Sequence, residues 1–296
     1  MLRSMLEYDA GFCEVAEGIW SARYGWHDVN VTLICGMSGV LLVDTHASPQ
    51  AMASVLEDVR GLGIGEITAV VNTHEHFDHV FGNAAVRAVL PNVPIHATRR
   101  AAQRTSVSAD YFKNRVRQAM ARSDSCDPRD KDILEAIVEP ANEVFEKRTS
   151  IDMGGRVVEL VHPGHAHTAG DLVVWVPDAN VMVVGDLLEA TGPPVYIDDC
   201  YPLDWATALD EVYEFLDPRS LLLPGHGPIV DLSWARGQQA EINDVAATIR
   251  QLWSDEVPIE HAAESGAWPW PIDWRFDGAL SAGYRHLSLA AERQSR

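Results

Sequence analysis

The chain has 296 residues, 47% apolar and 22% charged, the balance of a folded protein that buries a large core without staples. Lys and Arg number 23 against 43 Asp and Glu, a net charge of −20. A surface this acidic repels phosphate backbones and argues against a nuclease or any nucleic-acid partner.

Cys13, Cys35, Cys126 and Cys200 are widely spaced and form no C-x-x-C pair, so they suggest neither a disulfide scaffold nor a zinc–cysteine site. The first residues, Met1 to Asp9, lack the apolar stretch of a secretory signal. No apolar run reaches the roughly 20 residues that a membrane span needs. The expectation is a soluble, cytoplasmic protein without a membrane partner, folded as one domain over 1–296.

In chain order, Val31–Cys35 and Val40–Val43 read as the strands of a hairpin turning at Gly36–Gly39. Ser48 and Pro49 read as the N-cap and first residue of a helix running to about Arg60. Ile67–Asn72 is a buried strand, followed by a helix over Asn83–Leu90 and a short strand over Val93–His96. Residues from about 98 to 147 read as an insertion of two helices, broken near Ser123–Pro128. Strand patterns return at Arg156–Val161, Leu172–Val176 and Val181–Val184, with a turn at Pro177–Asn180. A helix over Asp204–Leu216, a strand at Leu221–Leu223, a long helix over Ser233–Ser254 and a last helix near Leu280–Arg293 complete the pattern. Residues from about 233 thus form a helical tail. Two strand-rich halves, each followed by helices, imply a layered α/β or α+β architecture of two sheets with helices outside.

The chemistry concentrates in His74-Glu75-His76-Phe77-Asp78-His79, three histidines and an aspartate within six residues at the end of a buried strand. Imidazole and carboxylate suit zinc, iron or manganese. His74 and His76, two apart on an extended loop, point to the same side. Three further strands end the same way, in a ligand-type side chain beside small residues: His167-Thr168-Ala169-Gly170-Asp171, Gly185-Asp186 and Gly225-His226-Gly227. One such instance is weak, and four in one chain are strong.

With these motifs the chain resembles the metallo-β-lactamase-fold superfamily over about residues 15–230. Val43-Asp44-Thr45 is similar to the family's first motif, an aspartate that buttresses the ligand loop. The resemblance implies a four-layer αβ/βα sandwich of two mixed β-sheets with outer helices, and a small-molecule hydrolase. It places His74, His76 and His167 on one divalent metal ion and Asp78, His79 and His226 on a second, with Asp186 bridging. The ions implied are zinc first, with iron or manganese fitting the same donors. A hydroxide held between them would attack an ester, thioester, lactone or related acyl bond, and Asp78 would orient it.

In His162-Pro163-Gly164-His165-Ala166-His167-Thr168, the Gly-His pair favours His165 and the small residues after His167 favour His167. We take His167 as the ligand. His46, two residues after Asp44, is a candidate partner to a ligating imidazole. His27, His96, His261 and His286 have no such context and read as packing or surface residues. The aspartate at 186 resembles the family's thioesterases, lactonases and phosphodiesterases, whereas its zinc β-lactamases usually carry another residue there; β-lactam hydrolysis is thus expected only as a minor activity. The alternative reaction class is a mononuclear iron persulfide dioxygenase, which tends not to use all of the second-site ligands.

Between Arg99 and Arg122 lie seven basic residues against Asp110 alone. They either line the site and attract an anionic substrate or form a solvated helix face. Tyr196 reads as a packing residue or an oxyanion donor, and Trp268, Trp270 and Trp274 as glue against the core or walls of a pocket. Oligomeric state and substrate lie outside what these patterns define.

Overall fold

The computed structural model describes residues 6–122 and 127–294. Its strands are β1 (Cys13–Ala16), β2 (Ile19–Tyr24), β3 (Val29–Gly36), β4 (Gly39–Val43), β5 (Ile67–Val71), β6 (Ile95–Thr98), β7 (Glu143–Phe145), β8 (Arg148–Asp152), β9 (Val157–Val161), β10 (Val173–Val176), β11 (Val181–Glu189), β12 (Leu221–His226) and β13 (Val230–Asp231). Its helices are α1 (Pro49–Leu62), α2 (Phe77–Val80), α3 (Asn83–Val89), α4 (Arg99–Arg122), α5 (Asp130–Glu135), α6 (Trp205–Tyr213), α7 (Leu232–Ser254), α8 (Ile259–Ser265) and α9 (Asp277–Gln294).

The strands form two mixed halves. One runs β7-β6-β5-β4-β3-β2-β1, parallel from β4 to β7 and antiparallel beyond. The other runs β8-β9-β10-β11-β12-β13 and is parallel at β11–β12. One residue pair, His226 with Val29, joins them into a continuous ladder.

Successive strand side chains point to opposite faces, and here both faces are covered. Leu41 and Val43 of β4, Val174 and Val176 of β10, and Val181 and Val183 of β11 meet in the core between the halves. The alternate residues Val40 and Leu42 face α1 and α3, together with Met52, Val55 and Val86. Val173, Trp175, Met182 and Val184 face α6, α7 and α9. Helix, sheet, sheet, helix is therefore the layer order, and the continuous apolar runs of these strands are its cause.

Ser48 caps α1 as expected, its Oγ accepting from Ala51 N at 3.1 Å, and Gly63 closes it in the left-handed region at φ 65°. The expected strand at 93–96 lies two residues later as β6, since Val93 and Pro94 precede the register that pairs Val70 with Ile95. The expected strands at 181–184 and 221–223 run on to Glu189 and His226, through glycines that strand patterning does not anticipate. The 98–147 segment carries α4 and α5, but its end is extended, and β7 adds a parallel edge strand beside β6. The break expected near Ser123–Pro128 falls largely outside the described residues. Strands β1, β2 and β8 and helix α8 lie where the sequence pattern singled out no element; β8 alternates exposed and half-buried residues at the sheet edge and lacks an apolar run.

Leu41 is fully buried between the sheets. Leu41→Ala is expected to lower unfolding stability by about 2–5 kcal/mol, and Ser48→Ala by about 1 kcal/mol through the lost cap. Denaturant melts of both variants measure this, and equal effects would contradict the layer assignment.

Candidate metal centre

The loop after β5 and the single turn of α2 deliver His74, His76, Asp78 and His79 from one half of the fold. His167 from the β9–β10 loop, Asp186 from β11 and His226 from the end of β12 come from the other. Ligand-type atoms of His74, His76, His167 and Asp186 lie within 4.8 Å of one another, as do those of Asp78, His79 and His226. Asp186 stands between the two groups. Its carboxylate is 3.7 Å from His74 Nε2, 3.5 Å from His167 Nε2, 3.4 Å from His79 Nε2 and 3.3 Å from His226 Nε2. All seven residues named from the sequence meet here.

Local backbone makes this convergence possible. β11 bulges around Gly185, which adopts φ 52° and lies against the Thr73 side chain, where a Cβ would come within 2.9 Å. At Gly225 a Cβ would lie 2.0 Å from Asp186 Oδ1, so any other residue there displaces the central carboxylate. Asp44, itself at φ 64°, accepts from Thr73 N and Thr73 Oγ1 at 2.8 Å each. Its Oδ2 also accepts from His79 Nδ1 at 2.8 Å.

Every imidazole in the cluster has its remote nitrogen engaged or faced, which fixes which nitrogen points inward. His74 Nδ1 donates to Thr73 Oγ1 at 3.1 Å, His167 Nδ1 to the Val195 carbonyl at 3.1 Å, and His226 Nδ1 to the Asp28 carbonyl at 3.0 Å. These leave Nε2 free towards the centre. His76 is turned the other way: Nδ1 faces inward, 2.9 Å from His167 Nε2, and Nε2 faces Asp199 at 3.5 Å.

Burial and charge pull the rings of the cluster in opposite directions. Burial, then the neighbouring His79, holds the His74 imidazole well below its usual range, and burial with His76 alongside lowers His167 to about 4. Burial opposes charge on His79 and His226 too. There the surrounding carboxylates prevail: Asp186, Asp44 and Asp78 raise His79 well above its range, and Asp186, Glu189 and Asp78 lift His226 to about 10. His74 Nε2 and Asp186 Oδ1 are buried without a hydrogen-bond partner. Orphaned acceptors of this kind, a borderline nitrogen and a hard oxygen, fit divalent metal ions.

His165 lies outside the cluster, its ring 4.3 Å from Tyr201, while His167 is the histidine of this segment that reaches the other ligand-type atoms. His46 is buried against Tyr24 and Trp26, burial lowers it to about 3, and its Nδ1 accepts from Ala47 N at 2.7 Å; it touches no cluster residue by hydrogen bond. Tyr196 is fully buried against Trp205 and Phe276 and is a packing residue.

The cluster opens into a cavity of about 590 Å³. Phe77, Phe112 and Val116 form one wall, and Ile197, Trp274 and Arg275 form part of the rim. Trp274 thus lines the pocket, while Trp268 packs on Phe276 and Trp270 against the outer core. The basic segment divides. Arg115 lines the cavity; Arg117 is exposed and turned to Asn114, and Arg99 pairs with the exposed Glu146.

Sequence reading missed His27, which lines the cavity and whose carbonyl lies 3.1 Å from His226 Nδ1. It also missed Glu75, Arg104 and Asp199. Nothing in their spacing signals a site, because 29 and 95 positions separate Arg104 from Glu75 and Asp199.

Among the described residues no helix is long and apolar enough to cross a membrane. Residues 24–241 match the family model of the metallo-beta-lactamase superfamily. A metallo-beta-lactamase type 2 of Bacillus cereus is 23% identical over 195 residues, 65% of this chain and 64% of that protein, so the match spans less than two thirds of the relative's length. A probable metallo-hydrolase of Streptococcus pyogenes serotype M6 is 24% identical over 202 residues, 67% of this chain and 79% of that one. The structure of the inverting sec-alkylsulfatase Pisa1 from Pseudomonas sp. superposes with a TM-score of 0.71 at 18% identity, over 94% of this chain and 50% of that one, a likeness of fold alone. With the family model covering most of its length and a His/Asp cluster at the strand ends, the chain belongs to the metallo-beta-lactamase superfamily.

Proposed function

We propose that the protein is a binuclear metal-dependent hydrolase acting on an ester, thioester, lactone or related acyl bond of a small molecule. In this reading His74, His76 and His167 would hold one ion and Asp78, His79 and His226 the other, with Asp186 placed to serve both. The observation that carries it is the Asp186 carboxylate, within 3.7 Å of imidazoles from both groups at the floor of an open cavity. Divalent ions there, zinc before iron or manganese, would lower the pKa of a bound water from about 15.7 to about 7 and polarise a carbonyl.

The chain's own groups supply the rest. Asp78 lines the cavity, with Oδ2 3.4 Å from His226 Nε2, and can hold the proton of the attacking water. The aromatic and aliphatic wall excludes water and seats the apolar part of the substrate. Arg115 faces the same cavity and bonds Tyr111 Oη at 3.0 Å, with no ion pair among the described residues. It is available to an anionic substrate group, in a chain whose net charge of −20 otherwise repels one. No serine or cysteine lines the cavity among the described residues.

Metal content measured beside a panel of thioesters, lactones, phosphodiesters and β-lactams tests the reading. β-lactams belong in it because the Bacillus relative bears that name. Turnover of an acyl substrate with two ions per chain is expected; about one iron per chain, no zinc and no hydrolysis would replace the hydrolase by an iron oxygenase. Asp78→Asn is expected to reduce kcat by roughly 10²–10⁴. Arg115→Glu is expected to raise KM for a carboxylate-bearing ester by roughly 10-fold or more, while Arg117→Glu leaves it unchanged. Equal KM values for wild type and Arg115→Glu would remove the anion assignment.

A further inference from the structure

His76 is the one imidazole of the cluster whose outward nitrogen is faced by a side chain that a cation on α4 holds. Arg104 donates from Nε to Glu75 Oε1 at 3.0 Å and from Nη2 to Asp199 Oδ2 at 3.3 Å. Asp199 Oδ1 in turn faces His76 Nε2 at 3.5 Å. The line Glu75–Arg104–Asp199–His76 joins three segments: the ligand loop, α4, and the loop after β11.

Its burial is uneven in an informative way. Glu75 has no exposed side-chain surface, and Arg104 and Asp199 are 28% and 19% exposed. A carboxylate removed wholly from water needs a cation beside it, and Arg104 is the ion-pair partner that Glu75 has among the described residues. A guanidinium presents its donors as a planar fork, so one arginine can hold two carboxylates at a set spacing, which a lysine cannot do. Three polar atoms along the line are nonetheless buried without a hydrogen bond: Glu75 Oε2, His76 Nε2 and Asp199 Oδ1. Asp199 Oδ1 and His76 Nε2 thus face each other at 3.5 Å without a completed hydrogen bond.

The inward-facing atom explains the need. His76 presents Nδ1 to the centre, so its proton must sit on Nε2. A carboxylate opposite Nε2 selects that tautomer and leaves the Nδ1 lone pair free. We propose that Arg104 is a positioning residue that, through Asp199 and Glu75, aligns His76 for metal, so that α4 sets the affinity of the His74–His76–His167 position. The proposal rests on the reading of this cluster as a metal centre. It also gives α4 two duties, because the same helix carries Phe112 and Arg115 of the cavity wall.

Zinc titration of the metal-free protein against a chromophoric chelator tests the coupling without any substrate. Arg104→Met is expected to weaken the tighter of the two zinc affinities by roughly 10- to 100-fold, as the loss of a partner to a ligating histidine does. Arg104→Lys is expected to fall between the two, and Asp199→Asn to match Arg104→Met. Arg99→Met, on the same helix but paired with the exposed Glu146, is expected to bind zinc as the wild type does. The double variant Glu75→Gln/Arg104→Met removes the buried unpaired carboxylate and keeps the measurement possible if Arg104→Met does not fold. Wild-type zinc affinity in folded Arg104→Met or in the double variant overturns the proposal. Wild-type protein that binds no zinc, iron or manganese overturns the metal reading itself.

Discussion

Four imidazole nitrogens within 3.7 Å of one carboxylate is the arrangement on which the rest of this structure turns. Imidazoles crowded this closely cannot all be charged, and Asp186 buried among them cannot remain ionised unpaired. The conflict resolves only with cationic charge at the centre. Divalent ions between the same atoms would provide it with fixed geometry. Once Asp186 must stand there, the bulge of β11, the glycine at 225 and the close approach of Thr73 to Gly185 follow as requirements on the backbone.

A second tier of contacts then holds the rings still. Asp44 collects Thr73 and His79, and its own backbone sits in the left-handed region, which a non-glycine residue occupies only under constraint from its surroundings. Carbonyls of Val195 and Asp28 orient His167 and His226. These partners come from chain segments far apart, so the precision of the centre depends on how the two halves pack. Leu41, Val174 and Val183, deep between the sheets, thus contribute to ligand geometry without touching a ligand.

The layered fold was legible because its strands are apolar on both faces: Val40 to Val43, Val173 to Val176 and Val181 to Val184 leave no polar side for water. The cluster residues were legible for a different reason. Each lies at a strand end beside glycine or another small residue, and histidine is rare enough that repetition carries information. Residues that join the site through tertiary contact alone left no mark. Arg104 is one of seven basic residues in a helical stretch, and only folding separates it from Arg99 and Arg117. Asp199 is one of three aspartates within seven positions (Asp198, Asp199, Asp204), and Glu75 is hidden between two histidines whose pattern draws the eye. Edge strands such as β8 escaped notice because a half-exposed strand needs little apolar character.

The joint between the halves is the pair His226–Val29, and His226 is also a member of the cluster. One half contributes His74, His76, Asp78 and His79, and the other contributes His167, Asp186 and His226. An ion held among them is therefore a clasp across the seam, tying together loops that the ladder itself connects at one point. Because such an ion binds the folded chain and not the unfolded one, its concentration enters the folding equilibrium directly. The stability of the folded chain would then rise with the metal its surroundings supply, quite apart from any turnover at the centre.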